Sequence, residues 1–156
     1  MVVLRQKFGL MPEMMVLAIA GLTLSSCSDA NAKYSQCEQI FKIAHQVNQE
    51  AKSIKSMNAE AKDIPQNLKN WLEAADLMEQ AARQIQALEF NNAELIKYQT
   101  GLANIYQIYS QATYDAVQAR ESKNINALIS ARDRASTAEA IQQKLVRDIN
   151  SYCLSG

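Results

Sequence analysis

Turn-forming residues are scarce in this 156-residue chain, which holds four glycines and two prolines. Gly9, Gly21 and Pro12 fall within the first 26 residues and Gly156 is the last, so Gly101 and Pro65 alone punctuate the interior of the remainder. Strand-rich folds need such residues at most of their reversals, so their scarcity excludes a sheet protein and leaves an all-α one. Histidine is nearly missing too, with His45 the only imidazole. Di-metal helix bundles use Glu-x-x-His pairs, and Lys42 occupies the position three before His45, so no metal or other cofactor is expected. His45 then reads as a half-exposed structural residue. An excess of one charge is also lacking, since Lys plus Arg and Asp plus Glu each total 16. Setting aside Arg5, Lys7 and Glu13 in the first 26 residues leaves 14 basic and 15 acidic side chains. A nucleic-acid binder concentrates basic charge on one face, so no nucleic-acid partner is expected.

What is present begins with the amino-terminal segment. Arg5 and Lys7 give a basic start, Met14 to Leu24 is uncharged and mostly apolar, and Ser25-Ser26-Cys27 follows. This order is that of a secretory signal, and the apolar stretch is far short of the roughly 20 residues that span a bilayer. Leu24-Ser25-Ser26-Cys27 resembles the lipobox of bacterial lipoproteins, in which an aliphatic residue and two small ones precede the cysteine that accepts a diacylglyceryl group. The resemblance implies that residues 1–26 are a signal peptide and that Cys27 is the lipidated first residue of the mature protein. Two acyl chains would then hold the protein on the extracytoplasmic side of a bacterial membrane, periplasmic or lumenal.

The mature part divides into a short tether, residues 27–34, and a helical domain, residues 35–156. Cys37, Ile40, Phe41, Ala44, Val47, Ala51 and Ile54 recur at three- and four-residue steps, the stripe of an amphipathic helix. Asp63 can cap a second helix with Pro65 in its first turn, and Leu68, Trp71, Leu72, Ala75, Met78, Ala82, Ile85 and Leu88 repeat the stripe. Asn91 with Glu94 resembles a capping box ahead of Leu95, Tyr98, Leu102, Ile105, Tyr109, Ala112 and Ala116. After the polar break at 121–124, Leu128, Ala131, Ala135, Ala138, Ile141, Leu145, Ile149 and Tyr152 make a fourth stripe. Short connections between four helices predict an antiparallel up-down-up-down four-helix bundle. That plan is similar to the PsbQ-like lipoproteins of cyanobacterial photosystem II, in architecture alone. The mature chain also has the general look of cyanobacterial lipoproteins.

The topology brings Cys37, at the start of the first helix, to the same pole as Cys153, at the end of the fourth, and in an oxidising compartment the two should pair. With Cys27 acylated and the other cysteines paired, no thiol is left as a nucleophile, so no enzyme is expected. The function this leaves is that of an accessory or scaffold protein that binds another protein at the membrane surface. Its candidate contacts are Lys62 and Lys123 at the pole far from Cys27, with Tyr106 at the edge of the third stripe and Tyr114 on its polar side. The alternative is a ligand-binding bundle with a pocket near Gly101 and the alanine-rich start of the fourth helix. Close helix approach is the preferred reason for Gly101 itself.

Overall fold

A computed structural model describes residues 28–60 and 63–155. They form α1 (Ser28–Glu60), α2 (Ile64–Gln86), α3 (Ala93–Glu121) and α4 (Ile125–Leu154), packed in chain order as an antiparallel up-down bundle. Cys27, the lipobox and Lys62 lie outside the described residues. Helix α1 already begins at Ser28, so the stretch set apart as a tether is helical from its second residue onward.

Local chemistry accounts for the helix starts. Asp63 takes an extended backbone and its Oδ1 accepts from the Gln66 N–H at 2.8 Å, with Pro65 in the first turn, where a missing N–H costs nothing. Helix α3 is capped one residue later than the sequence suggests. Asn92, not Asn91, accepts from the N–H groups of Glu94 and Leu95, because Phe90 is buried in the core and the two residues after it complete the reversal. Asn124 caps α4 by accepting from Ala127 N–H at 3.0 Å.

The core is continuous at the pole that holds Cys37 and Cys153. Ile40, Ile85, Leu95, Leu102, Tyr106 and Ile149 are buried there, with Leu145 and Tyr152 packed against them. Helix α3 lies between α2 and α4 and packs closely on both, whereas α1 packs mainly on α2 and meets α4 only sparsely. This asymmetry sets how wide a stripe each helix buries. On α3 the buried set extends past the expected stripe to Gln99, Ala103, Tyr106 and Ser110. On α4 it narrows to Ala131, Ala138, Ile149 and Cys153, and Ile141, expected inside, is 52% exposed. A helix with one close neighbour can cover only a narrow strip, so the outer members of its apolar pattern stay in solvent. Leu72 of α2, also expected inside, is exposed.

Gly101 answers a close approach between α3 and α4. A Cβ there would meet Leu145 Cδ2 at 3.1 Å, which places the end of α4 against it. The alanine-rich start of α4 lies at the opposite pole, because α3 and α4 are antiparallel. Gly101 and that stretch therefore cannot line one pocket, which corrects the location expected for a ligand site.

Candidate functional site

The bundle has two differently built ends. At the near pole Cys37 and Cys153 form a disulfide, with Cα atoms 6.0 Å apart and a sequence separation of 116. Both are buried, as expected of a structural bridge. A second tie joins the same helices: Lys33 Nζ donates to the Ser155 carbonyl at 2.6 Å and sits 4.6 Å from the centre of the Tyr152 ring. Tyr152 in turn meets Tyr98 of α3 edge to face, centroids 5.7 Å apart. The start of α1, the start of α3 and the end of α4 are thereby fixed together.

At the far pole the α3–α4 reversal is a Schellman turn. Lys123 N–H bonds the Arg120 carbonyl at 3.2 Å and Asn124 N–H the Ala119 carbonyl at 2.8 Å. The left-handed residue such a turn requires is Lys123, at φ 55°, where glycine is the usual occupant. A Cβ in that region costs about 1–2 kcal/mol. Lys123→Gly is therefore expected to raise the urea midpoint by the equivalent of roughly 1 kcal/mol, less the entropy a glycine adds to the unfolded chain. An unchanged or lowered midpoint would mean that the turn holds no relievable strain at Lys123. The Lys123 side chain is exposed, and the same pole presents apolar side chains: Ile64 at 63% and Ile125 at 69%, each the first residue of its helix, with Met57 and Ile129.

Beside the turn, a groove of about 350 Å³ runs between α3 and α4, floored by Ala119 and Ala127 and edged by Asp115 and Arg134. Those two side chains form an ion pair across the helices, and the Arg134 hydrogen bond holds the Asp115 carboxyl below its usual range. Arg120 lies over the Trp71 ring, 5.4 Å from its centre, so Trp71 is a half-buried stacking partner at the edge of α2 and not the core residue its position on the stripe suggests.

The tyrosines expected on a partner surface are placed otherwise. Tyr106 is 5% exposed, within the core cluster, because α3 is covered on both sides. Tyr114 is half-buried and its hydroxyl donates to Asp76 of α2, which makes it a tie between helices. Tyr109 donates to Gln142 Oε1 of α4 at 2.8 Å. Burial pushes the Tyr106 hydroxyl up from 10 to about 12, and Tyr109 is raised by burial first, then by the charges of Glu139 and Tyr106. The fold thus favours the neutral phenols. The Tyr106 contribution is whole below pH 10 and is lost as the pH climbs from about 10 toward 12, at roughly 1.4 kcal/mol per pH unit. Stability measured in that window should fall, and Tyr106→Phe should make the fall shallower. An equally steep fall in the variant would mean that the Tyr106 phenol does not couple to folding.

His45 is exposed and paired with Gln49 at 2.7 Å. Among the described residues no group of three or more His, Cys, Asp and Glu is placed to hold a metal ion, and no helix is long and apolar enough to cross a membrane. The exposure of Ile64 and Ile125 was not marked in the sequence: each directly follows a capping residue, and Ile64, four residues before Leu68, continues the line of the second stripe. Comparison with known proteins finds no match to a family model, a curated protein or a solved structure.

Proposed function

We propose that the protein is a lipoprotein held on the extracytoplasmic surface of a bacterial membrane through Cys27, and that it serves as a non-enzymatic accessory protein whose far pole binds another protein. The observation that carries this reading is the buried Cys37–Cys153 disulfide. Disulfides persist in oxidising compartments and are rare in the cytosol, so the bridge supports export independently of the leader. The far pole supports the second half of the reading. It lies at the end of the bundle remote from Ser28 and presents Ile64, Ile125, Ile129, Met57 and Lys123 to solvent. Isolated exposed apolar residues are ordinary, but several gathered at one end are the composition of a protein contact.

Two measurements test it. Radiolabelled palmitate should enter the wild-type protein and not Cys27→Ala, which should also leave the membrane pellet. A photo-crosslinking residue at position 125 should capture a protein in intact cells that one at position 132, on the flank of α4, does not. Unlabelled wild-type protein would end the lipoprotein reading, and identical capture from both positions would end that of the far pole. The second reading is a ligand-binding bundle, and the groove over Ala119 and Ala127 is the observation that favours it. Its volume is at the lower end for small-molecule sites. A small molecule that co-purifies with the wild type and is lost in Ala127→Leu would shift the balance to it.

A further inference from the structure

We infer that the near pole is a membrane-contact face, on which the bundle rests against the lipid headgroups through Tyr34 of α1, Ile96 of α3 and Leu154 of α4. The inference rests on the lipoprotein reading of Cys27 and adds to it an orientation for the whole domain.

Helix α1 has Ser28 as its first residue, so on that reading the acylated residue is followed by helix with no flexible spacer. A helix rises 1.5 Å per residue, which sets Tyr34 about 9 Å along the axis from Ser28, the residue that follows the anchor. The headgroup layer of one leaflet is roughly 5–8 Å thick, so an upright α1 would carry Tyr34 to the outer margin of that layer. Side chains on a helix lean toward its amino terminus. Helices α1 and α3 both start at this pole, so Tyr34 and Ile96 lean toward the membrane rather than away from it. Tyr34 is 57% exposed and Ile96 44%, and Leu154, the last residue of α4, is 63% exposed. Three large apolar side chains thus stand free on three helices at one end. Tyrosine is a residue that headgroup regions favour, with an apolar ring and a polar tip.

Rigidity turns this proximity into contact. The disulfide and the Lys33 bond to Ser155 clamp α1 to α4, and the Tyr98–Tyr152 ring pair links α4 to α3, so the three side chains approach a surface together. Lys33, the basic residue nearest Tyr34, has its ammonium group engaged with Ser155 and the Tyr152 ring, and Lys97 faces Glu94 at 3.7 Å. No free basic cluster is available at this end among the described residues to select anionic lipid, so a zwitterionic bilayer suffices as the partner.

The test uses the full lipidated protein in phosphatidylcholine vesicles whose acyl chains are brominated near the headgroup. Trp71 is the single native tryptophan and lies on α2 near the far pole, where it serves as an internal reference. In Tyr34→Trp and, separately, Ile96→Trp, the added fluorescence should be quenched several-fold more strongly than that of Trp71 and should lose accessibility to aqueous iodide. Both positions are exposed, so folding is not at risk, and retention of the disulfide checks it. Protein that floats with the vesicles but shows neither position quenched overturns the contact face and leaves the lipid anchor standing. Protein that carries no lipid and does not float overturns both.

Discussion

Removing the disulfide, as Cys37→Ala/Cys153→Ala or by reduction, is expected to lower the unfolding free energy by about 3–5 kcal/mol, the largest single effect in the molecule. The loop it closes spans 116 residues, and the entropy that a bridge of this length removes from the unfolded chain corresponds to roughly 5 kcal/mol as an upper figure. The bundle makes the bridge more than a generic crosslink. Helix α1 meets α4 only sparsely, and their named ties are the disulfide and the Lys33 bond to Ser155. Without the bridge, the unfolding transition should move to lower urea, and amide exchange should rise first in α1 while the α2–α3 pair stays protected. Parallel urea curves with and without dithiothreitol are the measurement. A difference below about 1 kcal/mol, or loss of protection spread evenly over the four helices, would show that α1 is held by its packing on α2 instead.

Gln99 carries the second large effect. Helix α2 ends without a glycine, on Ala87 in right-handed geometry, and its last carbonyls face the start of α3. The Gln99 side chain, 9% exposed, donates its amide to the carbonyls of Ile85 and Leu88, each at 2.7 Å, and more weakly to that of Gln86 at 3.3 Å. One amide thus satisfies acceptors that a helix end leaves open and fixes the α2–α3 connection onto α3. Gln99→Leu keeps the volume and removes the donor, at an expected cost of about 1–3 kcal/mol, chiefly from the Leu88 carbonyl, since that of Ile85 keeps the Leu88 N–H. Gln99→Glu should be worse at neutral pH, because a carboxylate faces carbonyl oxygens there. Its acid is held above its ordinary range in the fold, so stability should recover as the pH falls and the carboxyl regains a proton to donate. Equal stability of Gln99→Leu and Gln99→Glu across pH 4–8 would mean that the amide hydrogen bonds do not hold this junction.

The features legible in the sequence are those that local physics sets. Helical periodicity, Asp63 as a cap with Pro65 behind it, and the polar break ending at Asn124 each depend on residues within a turn or two of one another. The disulfide was legible for a different reason: once four helices alternate in direction, Cys37 and Cys153 must share a pole, whatever the packing details. The cap at Asn92 was missed by one residue, because two adjacent asparagines offer the same chemistry and only the burial of Phe90 selects between them.

The sequence by itself therefore determined the number of the helices, their alternating order and the pairing of the two cysteines, because backbone hydrogen bonding and chain direction are local or topological. Only the tertiary structure decided which side of each helix is covered, because that depends on how many neighbours a helix has. Between α2 and α4, helix α3 takes Tyr106 and Gln99 inside, while α4, with one close neighbour, leaves Ile141 in solvent. The same packing leaves Ile64 and Ile125, first residues of two separate helices, exposed at the pole where a lysine is held in a glycine's conformation.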